Sequence, residues 1–89
     1  MIKEVSELYE NNKLDEALRI LNESLEENPE DENIHLWIGK VHYKKGEWGL
    51  AINAFNEVLE INPQNQEAKS SAELASSIIS YFTPDMFNP

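Results

Sequence analysis

Two histidines, seventeen carboxylates and no cysteine are the chain's main supply of reactive groups. His35 and His42 stand seven residues apart, about two turns or roughly 10 Å along one helix, which is too far to share a metal ion. No cysteine and no HExxH-type spacing adds a ligand, so no metal site is expected and both imidazoles read as partly exposed helix residues. Acid pairs such as Glu26 and Glu30 fall on a polar helix face, where carboxylates solvate rather than trade protons with a substrate. Ser70, Ser71, Ser76, Ser77 and Ser80 crowd one segment without a His/Asp partner in sequence, and no glycine-rich phosphate loop is present. Asn22-Glu23-Ser24 has the form of a glycosylation sequon but sits in mid-helix, and it is set aside. Catalytic residues, metal and cofactors are all expected to be absent, and the chain reads as a non-enzyme.

Recognition chemistry is better supplied. Leu36, Lys40, Tyr43 and Lys44 lie off the stripe Ile34, Trp37, Ile38 and Val41, so the core is not expected to need them. An aromatic ring flanked by lysines outside the core suits contact with a peptide. The alternative is that Tyr43 covers a neighbouring helix and the lysines only solvate. Trp37, Trp48 and Phe55 are spaced as core residues.

These residues need elements to carry them. Ile2, Val5, Leu8 and Tyr9 recur at helical steps and define a first helix, broken at Asn11-Asn12-Lys13 with Asn12 as N-cap of the next. Leu14, Ala17, Leu18, Leu21 and Leu25 mark a second, ended near Asn28-Pro29. Asp31 and Asn33 offer caps for a third helix, which Gly46 closes. Trp48, Ala51, Ile52, Phe55, Val58 and Leu59 form a fourth, up to Asn62-Pro63. Asn65 caps a fifth, whose buried stripe runs Ala68, Ala72, Ala75, Ile79 and Phe82 and which Pro84 stops near Thr83. No segment alternates at period two, so no sheet is expected.

At 89 residues and 40% hydrophobic content the chain makes one small domain. No apolar run approaches the roughly 18 residues of a membrane span. An acidic N-terminal segment without an apolar run, together with the lack of cysteine, points to the cytoplasm. A net charge of −10 repels phosphate backbones and anionic lipids, so neither nucleic acid nor membrane is expected as partner.

The elements repeat. Tyr9, Ala17, Asn22, Glu23, Leu25, Glu26, Asn28 and Pro29 return 34 residues later as Tyr43, Ala51, Asn56, Glu57, Leu59, Glu60, Asn62 and Pro63. This pattern resembles the tetratricopeptide repeat. The second copy carries the motif best, with Gly39 at the small position of its first helix, Tyr43 a turn on, Gly46 at the turn, then Trp48, Ala51, Phe55 and Pro63. In the first copy Val5 replaces the small glycine, Asn12 the turn glycine and Leu21 the aromatic residue. At the corresponding place in the last helix stands Glu73, a carboxylate that does not fit a tight helix contact, which suggests that no further hairpin stacks there.

The resemblance implies an all-α fold: a right-handed α-solenoid of two helix–turn–helix repeats, about 1–31 and 32–65, and a C-terminal capping helix, about 66–82. Residues 1–82 would form a single domain with 83–89 as tail. It also implies a non-enzymatic interaction module that receives a peptide or partner helix in a concave groove. The groove residues would be Ile2, Lys3, Ser6, Tyr9 and Glu10, then Asn33, Leu36, Lys40, Tyr43 and Lys44, then Glu67, Ser70, Leu74, Ser77 and Ile78. Members that clamp the carboxylate of heat-shock chaperones use Lys and Asn where this chain has Ile2 and Ser6, and basic residues where it has Ser70 and Leu74, so that specialisation is not expected. Lys3, Lys40, Lys44, Lys45 and Lys69 fall on the first-type helices while acids crowd the others, which favours an acidic ligand in the groove.

Leu74, Ile78 and Tyr81 form a second apolar stripe on the last helix, and it needs a cover. Fold-back of the tail through Met86 and Phe87 comes first, and self-association second. A monomer is expected ahead of a homodimer, and a self-associating scaffold joined through this helix is the alternative function.

Overall fold

The computed structural model describes residues 1–82, and the expectations for Met86 and Phe87 fall outside them. Five helices follow in order: α1 (Ile2–Glu10), α2 (Leu14–Glu27), α3 (Glu32–Lys44), α4 (Trp48–Ile61) and α5 (Gln66–Phe82). No strand occurs among the described residues, and no helix there is long and apolar enough to cross a membrane. Each helix packs on its successor, as an all-α solenoid requires.

The turns repeat as faithfully as the helices. α1 and α3 both end in a Schellman motif. Lys13 N–H donates to Leu8 O at 2.8 Å and Asn12 N–H to Tyr9 O at 3.1 Å; Glu47 N–H donates to His42 O at 2.9 Å and Gly46 N–H to Tyr43 O at 3.0 Å. The motif needs one left-handed residue, and Asn12 (φ 60°) and Gly46 (φ 78°) supply it. Asn12 is therefore not the N-cap of α2. Lys13 holds that place with no side-chain bond, because the left-handed turn uses the asparagine first.

Asp31 caps α3, its carboxylate accepting from Asn33 N–H at 2.9 Å and Ile34 N–H at 3.4 Å. Asn65 caps α5 by accepting from Ala68 N–H at 3.0 Å. Between α2 and α3, and again between α4 and α5, the chain leaves the helix at Asn28 and Asn62, each held out of the helical region by the proline that follows.

The core has two parts. Val5, Ala17, Leu21, Ile34, Ile38 and Val41 bury the contact of the first hairpin with α3, joined by Ala54 of α4. Leu36, Ala51, Phe55, Val58 and Ala68 bury the contact among α3, α4 and α5. Leu36 thus belongs to the core, contrary to the sequence expectation. A helix with neighbours on two sides buries two flanks, and a single-stripe reading finds only one. His35, expected as partly exposed, is buried for the same reason, and its Nε2–H donates to Pro29 O at 2.9 Å. Phe82 is 72% exposed rather than part of the buried stripe. With 17 residues against 14 in α4, α5 is about one turn the longer of the two, so its far end outruns its neighbour.

Candidate functional site

Gly39 and Phe55 create the site. A Cβ on Gly39 would stand 2.7 Å from Phe55 Cδ1 and 2.9 Å from Cζ, with Cε1 closer still. Without one, the ring lies against the α3 backbone. Its edge then forms the floor of a cleft of about 190 Å³, walled by Tyr9 of α1, Lys40 and Tyr43 of α3, and Glu67, Ser71 and Leu74 of α5. Helical spacing explains the walls, since Lys40 and Tyr43 are one turn apart, as are Glu67, Ser71 and Leu74 in succession. Tyr9 and Tyr43, one repeat apart, face the same space.

The walls are braced. Tyr9 meets Trp37 edge to face with centroids 5.6 Å apart, and Tyr43 meets Trp48 in the same manner at 5.1 Å. Lys44 Nζ donates to Tyr9 O at 2.7 Å and stands 4.2 Å from the centre of its ring. Lys40 Nζ lies 4.2 Å from the Trp37 ring and 3.4 Å from Glu67 Oε2, so it ties α3 to α5 across the cleft. Burial first, then the Glu10 and Glu67 carboxylates, raises the Tyr9 phenol above its ordinary value, so the hydroxyl remains a neutral donor. With Glu67 and Glu10 set against Lys40 and Lys44, the formal charge at the cleft sums to zero. Of the lysines that suggested an acidic ligand, Lys40 and Lys44 are engaged at the cleft itself and Lys45 with Asp15.

Of the fifteen groove residues inferred from the sequence, Tyr9, Lys40, Tyr43 and Leu74 line the cleft and Lys44 borders it. Ser6 is half-buried; Ile2, Asn33 and Ser70 are exposed and lie outside it; Leu36 packs beneath in the core. Glu67, placed on the matching face of α5, is part of the wall. Phe55 and Ser71 were not singled out. Phe55 reads as core from spacing and is buried as such, and only the missing Cβ of Gly39 signals that its ring lies close enough to α3 to line the cleft. Ser71 was legible as the residue one turn after Glu67.

The remaining polar groups have local roles. His42 Nδ1–H donates to Glu47 Oε1 at 2.9 Å, and Lys45 Nζ reaches Asp15 at 2.5 Å and Glu47 at 3.8 Å. The hydrogen bond to Asp15, more than any other contact, holds the Lys45 ammonium above its ordinary pKa. Glu32 accepts from Asn62 Nδ2 at 3.0 Å and Asn65 Nδ2 at 2.9 Å, which fixes the start of α3 to the α4–α5 turn. Among the described residues no cluster of three His, Cys, Asp or Glu side chains is placed to hold a metal ion.

A search of curated proteins finds no match to this chain. The profile of the family described as Tetratricopeptide repeat matches residues 8–73, a span that takes in the end of α1 from Leu8, all of α2 to α4 and the start of α5 up to Glu73, and so each cleft-lining residue but Leu74. A match over well more than half the chain, on a stack of helices with two equivalent left-handed turns, places the protein in the tetratricopeptide repeat family, whose repeats generally mediate protein–protein interaction.

Proposed function

We propose that this protein is a non-enzymatic adaptor, acting as a cytoplasmic monomer, that holds a peptide or helix of a partner protein at the cleft between α1, α3 and α5. The observation that carries this reading is the convergence of Tyr9 and Tyr43 with Leu74 around one solvent-open space floored by Phe55. Rings braced by Trp37 and Trp48 keep their geometry without a ligand, which limits the ordering cost of binding. The size of the cleft selects the contact. A cavity of about 150 Å³ is enough for benzene, so this one admits a single ring-sized or branched side chain.

Magnitude shows that the cleft does not act alone. Burying one such side chain contributes about 1.5–3 kcal/mol, whereas a micromolar complex requires about 8 kcal/mol. The partner must therefore extend over the neighbouring surface, and among the residues inferred from the sequence Ser6, Lys40, Lys44 and Ser70 are within the same arc of helices. Affinity capture with the full chain as bait tests the reading. Tyr43→Ala, with helicity confirmed by circular dichroism, is expected to weaken capture by roughly tenfold or more, as loss of a central aromatic contact does. Glu57→Ala, on the exposed side of α4, is expected to leave it unchanged. Equal capture by both variants would place the partner elsewhere.

A further inference from the structure

The two parts of the core share no buried residue, and α1 and α2 supply buried residues to the first alone. Leu36, Ala51, Phe55, Val58 and Ala68 all come from α3, α4 and α5, so loss of the first hairpin would leave that part whole. Stacked repeats hold together through neighbour contacts, and such a division sets where a stack comes apart.

The first hairpin is the more lightly anchored end. α1 buries Val5, and α2 buries Ala17 and Leu21. With Val5 and Leu21 where the second repeat has Gly39 and Phe55, α1 and α2 lie close over a shorter stretch than α3 and α4 do. Neither α1 nor α2 has a side-chain cap bond. Lys44 reaches Tyr9 O and Lys45 reaches Asp15, but these contacts stand at the surface, where they contribute little. α5 also buries only small residues, Ala68 and Ala75. Those alanines let it lie along α4, however, and the Asn65 cap with the Asn65–Glu32 and Lys40–Glu67 contacts ties its start to α3.

The linker between the two ends belongs to α3. His35 is buried and has no part in the cleft, and its Nε2–H holds Pro29 O at 2.9 Å. Asp31 caps α3 through Asn33 N–H and Ile34 N–H. Both ends of Pro29-Glu30-Asp31 are thereby fixed to the helix that follows. The boundary falls one residue earlier, at Asn28, whose backbone leaves α2 at φ −135° and ψ 67°.

We propose that α1 and α2 detach and reattach as one unit, with the break at Asn28 and the core of α3, α4 and α5 left standing. Tyr9, the α1 wall of the cleft, goes with them, so the cleft is complete only in the attached state. On the cleft reading above, a ligand that touches Tyr9 favours attachment by mass action. The detaching unit does not rest on that reading, and its test uses no ligand.

Native-state hydrogen exchange of the full chain, followed by NMR at rising but sub-denaturing urea, tests the proposal. The protected amides of α1 and α2 are expected to converge on one opening, roughly tenfold or more as frequent as the opening that exposes the Phe55 and Val58 amides. Two variants separate partial from global opening. Val58→Ala weakens only the core left standing, and is expected to speed exchange in α4 by roughly tenfold while leaving α1 and α2 unchanged. Leu21→Ala weakens the attachment, and is expected to speed both sets alike, because both openings start from the same destabilised native state. One common opening for all five helices overturns the proposal, as does Val58→Ala speeding α1 and α2 as much as α4. An order in which α5 opens while α1 and α2 stay protected overturns it too. Should Val58→Ala fail to fold, the urea series on the unaltered chain still decides between one opening and two. Unchanged capture by Tyr43→Ala would remove the cleft reading and leave this one standing.

Discussion

Replacing Gly39 by alanine sets two effects of known size against each other. Alanine is favoured over glycine inside a helix by about 1 kcal/mol. The new methyl would overlap the Phe55 ring, which is only 1% exposed and lies against the α3 backbone, so relief requires the ring to shift out of its packed position towards the cleft. Overpacking of this kind costs about 1–3 kcal/mol, and the overlap wins. Gly39→Ala is expected to lower the stability measured by urea titration by about 1 kcal/mol, and adding Phe55→Leu is expected to recover part of the loss through a favourable coupling. The first repeat already uses the milder pair, since the two equivalent positions hold Val5 and Leu21, both fully buried in one core. A Gly39→Ala protein at least as stable as the parent would show that the ring is not confined. The small position at Gly39 was legible from the repeat pattern. Its consequence, a cleft with Phe55 in its floor, was not, because it depends on where a ring on another helix comes to rest.

At the scale of the elements, Asn65 joins two tasks that a helix cap alone would separate. Its carbonyl oxygen caps α5 through Ala68 N–H, and its amide nitrogen donates to Glu32 at the start of α3. Aspartate caps a helix as well as asparagine does, so on capping alone Asn65→Asp would be neutral. The second task decides otherwise, because a carboxylate there would face Glu32 with no donor between them. Asn65→Asp is expected to cost about 1–2 kcal/mol in chemical denaturation and to regain most of it when combined with Glu32→Gln. A stable single variant would show that the bridge to α3 contributes nothing. The helices themselves were legible in order and nearly in length, since their apolar spacing, Gly46 and the two Asn-Pro pairs all carry local signals. Asn12 was ambiguous because the same residue suits an N-cap or a left-handed turn, and only the paired bonds to Leu8 and Tyr9 decide between them. Leu36 and His35 were misjudged because α3 is enclosed on two sides, a fact of stacking that one helix's periodicity does not contain.

For the molecule as a whole, salt opposes two electrostatic terms. Seventeen acids against seven bases give a net charge of −10, packed into extents of 42 × 28 × 20 Å. At about 0.01 M ionic strength the screening length is about 30 Å, comparable with these dimensions, so nearly every carboxylate feels the others; at 0.15 M it falls to about 8 Å. Salt also weakens attractive pairs, but those here are few and solvated: Arg19–Glu23 joins two largely exposed side chains, and Lys40–Glu67 and Lys45–Asp15 each have an exposed acid. Exposed pairs of this kind contribute little, whereas the excess of like charge acts throughout the folded state. Relief of repulsion is therefore expected to dominate. The thermal midpoint should rise by a few degrees between about 0.01 M and about 0.3 M sodium chloride, since about 1 kcal/mol moves a domain of this size by roughly 4–8 °C. Chloride is the appropriate salt, because sulfate strengthens apolar burial in its own right and would produce the same sign for another reason. A midpoint that falls over this range would mean that the lysine contacts bracing the cleft outweigh the self-repulsion. The cleft would then be the electrostatic keystone of the fold as well as its recognition surface, and Lys40→Gln should flatten that fall.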